Sequence, residues 1–185
     1  ASHVVLTGNA DDSLDWTDGW TGSIQFLLIN QGADSADNGI EADNREGDEN
    51  ALPRSAPMIA NMSIVGNPDE RGVRLRRGTG LRLYSSYVTD NATCLDVSGE
   101  SLNLLGGDID FDGVSFNCPE TVDGDNPQLQ SFLDSLANVS QNGGAVAAAD
   151  LSGMANFEST DFVGAVGDMD WTANWTVGEL DTGSP

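Results

Sequence analysis

Four short strings along the chain share one order of side chains: Ser13-Leu14-Asp15-Trp16, Gly39-Ile40-Glu41-Ala42, Gly72-Val73-Arg74-Leu75 and Cys94-Leu95-Asp96-Val97. Each places a branched aliphatic residue second, a charge third and an apolar residue fourth. A longer apolar run follows each: Ile24 to Ile29, Met58 to Val65, Leu81 to Val88 and Ile109 to Phe116. The strings recur after 26, 33 and 22 residues (14 to 40, 40 to 73, 73 to 95), and turn-rich insertions such as Asn44 to Pro57 make the lengths unequal. Alternation with a period of two predicts short strands with one face on a core. Their recurrence predicts a solenoid, because a single coil cannot bury its apolar face and stacked coils can. The expected fold is all-β, a right-handed parallel β-helix. A β-sandwich is the weaker reading, since hairpin turns between adjacent strands are scarce.

Stacking fixes a register. Leu14, Ile40, Val73 and Leu95 are expected in one inward file, about 4.8 Å apart per coil. Trp16, Ala42, Leu75 and Val97 form the second file. The outward file between them is Asp15, Glu41, Arg74 and Asp96, and the next is Thr17, Asp43, Arg76 and Ser98. Like charges stacked at strand spacing repel, so an arginine among carboxylates relieves the column. That accounts for the crowding of Arg71, Arg74, Arg76, Arg77 and Arg82 into one segment. Two readings stand side by side: a structural charge ladder, and an anion-recognition patch. For the second, Arg74, Arg76, Arg82, Glu41, Asp43 and Asp96 are the candidate ligand-binding residues.

After Pro119 the pattern changes, so the expected division is coils over 1–118 and a C-terminal cap over 119–185. Asn126-Pro127 followed by apolar residues at 129, 132, 133 and 136 predicts a helix over about 127–138, with a cap residue and proline at its first position. All four tryptophans lie in two near-copies of one phrase, Asp15-Trp16-Thr17-Asp18-Gly19-Trp20-Thr21 and Asp170-Trp171-Thr172-Ala173-Asn174-Trp175-Thr176. Open ends of a coil stack need covering. Trp16 is therefore expected as core filler near the N-terminal end and Trp20 at a corner, with Trp171 and Trp175 in the C-terminal closure. Trp20 is also a candidate for stacking on a sugar ring.

Charge narrows the partners. Thirty acidic residues face seven basic ones, all arginine, for a net charge of −23. Such a surface disfavours nucleic acid and anionic membranes, and no apolar run reaches membrane-spanning length. Calcium or a cationic surface suits it, as does plain solubility in salty or extracellular water. Cys94 and Cys118, outside any metal-binding spacing, read as one disulfide in an oxidising compartment, with two buried thiols as the alternative.

Candidate chemistry is sparse. Asp108-Ile109-Asp110-Phe111-Asp112-Gly113 opens like a calcium loop but has Pro119 where a bidentate glutamate is needed. Asp108, Asp110 and Asp112 remain the candidate metal ligands, with calcium as the candidate cofactor and a solvated acidic face as the plainer reading. His3 is the only histidine and no nucleophile elbow occurs, so nucleophilic catalysis has little support. β-Helical polysaccharide lyases resemble this architecture and combine calcium-binding carboxylates with a basic proton acceptor. Arg74, Arg76 or Arg82 beside Glu41 and Asp96 imitates that arrangement.

Several phrases resemble a group of uncharacterised secreted or surface-attached β-helix proteins of Gram-negative, often marine, bacteria. They are the segment Ala10 to Gly22, then Asn38-Gly39-Ile40-Glu41-Ala42-Asp43-Asn44, then Arg71 to Gly80, and finally Phe162 to Val166 with Trp171 to Gly178. The resemblance implies a parallel β-helix, further strand-rich coils upstream, and a secretion or lipoprotein signal, with this chain as the C-terminal portion. It carries over no catalytic residue. The expected function is a non-enzymatic extracellular or outer-surface protein, structural or adhesive, that assembles end to end with other copies or with upstream coils. The alternative is a calcium-dependent protein that binds or cleaves an acidic polysaccharide.

Overall fold

Alternation of apolar and polar residues does produce stacked parallel strands. The computed structural model describes residues 1–32, 36–174, 176 and 180–183. In chain order the strands are β1 (Ser2–Thr7), β2 (Leu14–Trp16), β3 (Ser23–Asn30), β4 (Ile40–Ala42), β5 (Met58–Val65), β6 (Arg71–Leu75), β7 (Leu81–Thr89), β8 (Thr93–Val97), β9 (Ile109–Asn117), β10 (Glu120–Val122) and β11 (Val139–Ser140). A short 3-10 helix at Gly99–Leu104 precedes β9, and helix α1 spans Pro127–Ser135.

The strands form two sheets. The long-strand sheet has the order β1-β3-β5-β7-β9-β11 and the short-strand sheet β10-β8-β6-β4-β2. Every pairing is parallel. Each coil thus gives one strand to each sheet, which is a parallel β-helix. The expected register holds: Leu14 pairs with Ile40, Ile40 with Val73, and Val73 with Leu95. Val122 in β10 continues the file below Leu95. Both sheets therefore run on past residue 118, into the segment read from sequence as a cap.

Between the sheets lies one apolar core that includes Leu27, Ile40, Ile59, Met62, Ile64, Leu75, Leu83, Leu95 and Phe116. The long strands do not keep a strict period of two. Ile24, Leu27 and Ile29 all enter this core, whereas Leu28 lies in a separate cluster on the outer face. The shift occurs at a left-handed residue, Phe26, with φ of 58°. Pairing on either side stacks it with four more: His3 (57°), Asn61 (50°), Ser85 (47°) and Gly113 (68°). A left-handed residue bends the strand and flips the side-chain parity beyond it. Gly113 is required for space as well, since a Cβ there would lie 2.6 Å from the Ala147 carbonyl oxygen.

Helix α1 shuts the C-terminal end of the stack. Asn126 caps it by accepting from the Leu129 N–H at 3.1 Å. Leu129 and Leu133 join the main core, and Phe132 meets Phe111 with ring centres 5.8 Å apart. The helix ends at Ser135, short of the expected 138, because Leu136 turns extended and the chain adds β11 beside β9.

The remaining tail takes an unexpected course. It runs back along the outer face of the long-strand sheet toward β1. Lacking strands of its own there, it draws hydrogen bonds from buried polar side chains of the sheet, as buried backbone must. Ser85 Oγ accepts from the Ala149 N–H, Ser63 Oγ from the Ala165 N–H, and Gln25 Oε1 from the Glu158 N–H. Asn61 Nδ2 donates to the Phe162 carbonyl. Ala165 and Val166 cover Leu28, while Leu151 covers Ala60 and Tyr84. Trp171 consequently lies at the N-terminal end, 5.0 Å from the His3 ring, and not in the C-terminal closure expected for it. The tail reaches the first coil because those sheet side chains guide it there. Trp175 lies outside the described residues. Trp16 is buried as expected and donates to Thr79 Oγ1, with partly buried Trp20 at 5.5 Å.

Candidate functional site

The outer face of the short-strand sheet gathers five of the residues singled out from sequence: Glu41, Asp43, Arg74, Arg76 and Asp96. Strand alternation turns them outward while Ile40, Ala42, Val73, Leu75, Leu95 and Val97 turn inward. Arg74 in β6 sits between Glu41 on one neighbouring rung and Asp96 on the other. Its guanidinium reaches Glu41 at 3.1 Å and Asp96 at 3.2 Å. Arg76 pairs with Asp43 at 2.8 Å and also with Glu41. Arg77 adds a contact to Asp43 at 2.7 Å, and Arg71 bridges Asp96 and Asp123 at 3.5 and 3.3 Å.

Arg82 and Trp20 lie elsewhere. Arg82 belongs to β7 in the other sheet and pairs with Asp108 at 2.8 Å. Trp20 packs against the core beside Trp16. The three candidate metal ligands each keep their own company. Asp110 accepts from the Phe111 N–H, Asp112 accepts from Asn138 Nδ2, and Asp108 holds Arg82. Asp110 and Asp112 share the outward face of β9, whereas Asp108 precedes the strand.

Every arginine of the chain is engaged. Arg45 pairs with Asp18, and Arg54 donates to the carbonyls of Glu49 and Gly78. The ladder therefore turns its cationic donors onto the protein's own carboxylates. Burial, followed by the nearby Asp12 charge, holds the Glu41 carboxyl above its ordinary value; burial, followed by Asp123, does the same for Asp96. Burial pulls against the charge of Arg76, but Asp43, Glu41 and Asp12 together raise it.

These shifts set a sign for pH dependence. Glu41 and Asp96 bind a proton more readily folded than unfolded, so the folded state carries more protons just above the ordinary carboxylate range. Their contribution is fully present below the unfolded values, about pH 4, and is lost as pH rises through the raised folded values. Asp150 and Asp170, lowered by hydrogen bonds from Ser152 and Thr172, act oppositely but only below that range. Thermal unfolding at low ionic strength is expected to move to higher temperature between about pH 7 and about pH 5. A steady fall across the same interval would contradict the raised carboxylates.

Two features were not read from the sequence. A cleft of about 720 Å³ opens at the N-terminal end, lined by His3, Phe26, Asp161, Phe162, Asp168 and Trp171 among others. It exists only because the tail returns to the first coil, so no local pattern announces it. A carboxylate group, Asp11, Asp12 and Asp37, has ligand oxygens within 4.8 Å of one another. Asp11-Asp12 and Asp37 are neighbours in space because the turns before β2 and β4 stack, which the repeat spacing would have revealed had it been extended to the turns.

Among the described residues no helix is long and apolar enough to cross a membrane. Cys94 and Cys118 form a disulfide. Comparison with curated proteins and with solved structures found no match. Residues 1–176 match the family described as the pectate-lyase-like beta helix domain, in keeping with the stacked parallel coils, and the chain belongs to that family.

Proposed function

We propose that this chain is a non-enzymatic extracellular surface or matrix module, structural or adhesive, which adds a partner at its first rung. One observation carries the reading: the two ends of the stack differ. Helix α1 covers the last rung with Leu129 and Leu133. At the other end β1 is the edge of its sheet, and Val4, Leu6, Leu14 and Trp20 are only partly buried against the core. An unpaired edge over apolar side chains is a template for another strand. Further coils or the first rung of a second copy fit there. A closed last rung disfavours open head-to-tail filaments and favours a two-fold pair.

The engagement of all seven arginines supports the non-enzymatic side, since a lyase-like proton acceptor would have to break an ion pair or a carbonyl contact first. His3 does not supply one readily, being packed at a tilt against Phe26 with ring centres 4.6 Å apart and bonded to Ser2 Oγ. The disulfide, the family and the resemblance to secreted surface proteins support an extracellular location.

Light scattering and negative-stain microscopy across a concentration series test this. The chain is expected to pair as concentration rises, more so in salt that screens its charge. Val4→Lys with Leu6→Lys is expected to leave a monomer with an unchanged far-ultraviolet spectrum. A wild-type chain that stays monomeric up to its solubility limit, with or without added upstream coils, would remove the reading.

A second reading, carbohydrate binding, is favoured by the aromatic cleft, whose flat rings suit a pyranose face and whose Asp161 and Asp168 suit its hydroxyls. It predicts retention on a polysaccharide gel that Phe162→Ala abolishes and Arg74→Ala does not.

A further inference from the structure

A left-handed residue recurs on each rung at the bend of the long strands, and its side chain changes along the stack. On the later rungs it is Asn61, Ser85 or Gly113, which bond to the returning tail or leave room for it. On the first two rungs it is His3 and Phe26, at φ of 57° and 58°. Phenylalanine is costly in that region, far more so than asparagine or glycine. Backbone cost of this kind collects at ligand clamps and active sites.

The tail adds two more rings. Phe162 stacks toward Phe26 with centres 6.3 Å apart, His3 lies 4.6 Å from Phe26, and Trp171 meets His3 edge-on at 5.0 Å. All four line the cleft of about 720 Å³, as one continuous row. A row suits an elongated ligand, since flat rings can take the C–H faces of successive sugar units.

The charge of the cleft selects among sugars. Asp161 and Asp168 line it and are exposed. Among the described residues no arginine lines it, because all seven are engaged elsewhere. An acidic sugar would meet these two carboxylates on a chain of net charge −23 with no arginine to answer it. An ammonium group would answer them with charge-assisted hydrogen bonds, stronger than those a hydroxyl makes.

We infer that the cleft takes a linear amino sugar with protonated amines, of the class of a β-linked glucosamine chain. The rings hold the sugar faces while Asp161 and Asp168 hold the ammonium groups. This rests on the reading of the cleft as a carbohydrate site, and it reverses the charge of the polysaccharide expected from the sequence. It also places the ligand at the first rungs, away from the arginine ladder.

Calorimetric titration of the full chain in mildly acidic buffer tests it, with oligomers of glucosamine, N-acetylglucosamine and galacturonate. A lysine oligomer of equal length measures the general pull of an acidic surface on a cation. The glucosamine oligomer is expected to bind about tenfold more tightly than the acetylated one, and the galacturonate oligomer not at all. Asp161→Asn with Asp168→Asn is expected to remove that preference and leave the acetylated oligomer unchanged. The double variant neutralises only two of thirty acidic residues, so the lysine oligomer should hardly notice it. Phe162→Leu keeps an apolar side chain beneath the tail and is expected to weaken both sugars about fivefold. If that variant loosens the tail, the two exposed aspartates still decide the matter. Equal binding of the glucosamine and acetylated oligomers, or tighter binding of galacturonate, would overturn the inference and leave the carbohydrate reading standing. Binding of no sugar would remove both. Glucosamine binding that the lysine oligomer matches, or that survives Asp161→Asn with Asp168→Asn, would also overturn it.

Discussion

Ile40→Ala should lower the free energy of unfolding by about 2–5 kcal/mol. Ile40 has no exposed surface and occupies the middle of the inward file, held between Leu14 and Val73. Part of the cost is the lost burial of its side chain and part is the cavity left behind. The cavity cannot close by collapse, because ladder hydrogen bonds hold the rungs on both sides at their spacing. The stability of a domain is of order 5–15 kcal/mol, so one such change removes a large share of it. Urea titration of both proteins would show a lower midpoint with little change in slope. Leu14→Ala provides the comparison. Leu14 belongs to the same file but is only partly buried at the first rung, so its loss should cost clearly less. Equal costs for Leu14→Ala and Ile40→Ala would mean that something covers the first rung in solution, which bears directly on the proposed pairing.

The second large effect comes from the covalent link. Cys94 and Cys118 enclose a loop of 24 residues in sequence separation. Replacing both by alanine should destabilise by about 3 kcal/mol, chiefly because the unfolded chain regains the freedom of that loop. At this chain length the melting temperature should fall by about 6–12 °C. The link joins Cys94, near the start of β8, to Cys118 in the turn that leads into β10, so it fastens the last two rungs of the short-strand sheet. Wild-type protein with the bond reduced should melt with the alanine variant. If the reduced and oxidised forms melt together, the loop is already ordered in the unfolded chain and the entropic account fails.

Much of the fold was legible because a strand writes its orientation into adjacent residues. Leu14, Ile40, Val73 and Leu95 share a local environment, and each sits two residues before another inward side chain, so aligning the strings aligns the rungs. The charge ladder was legible for the same reason: Asp15, Glu41, Arg74 and Asp96 fall between the inward positions, and an arginine among stacked carboxylates relieves their repulsion. The bend in the long strands was not. His3, Phe26, Asn61, Ser85 and Gly113 share a left-handed backbone and no side-chain chemistry. Asn, Gly and His are enriched in such a conformation, whereas Phe26 and Ser85 do not announce it. Leu28 consequently reads as core when it faces outward beneath the tail.

The candidate sites divide along the same line. Glu41, Asp43, Arg74, Arg76 and Asp96 could be placed together from spacing alone, since a ladder is periodic. The carboxylates Asp11, Asp12 and Asp37 follow the same stacking but lie in the turns before β2 and β4, outside the aligned strings, whereas the aromatic cleft needed residues 161–171 to return beside His3 and Phe26. A return across more than a hundred residues follows no repeat spacing.

The sequence by itself determined the coil, its register and the pairing of charges across rungs, because those depend on side chains two residues apart and one repeat apart. Tertiary structure alone decided where the tail lies and that helix α1 covers the last rung. The tail's course follows from long-range burial, in which Leu28, Ser63 and Ser85 find their partners between 64 and more than a hundred residues away, beyond the reach of local pattern.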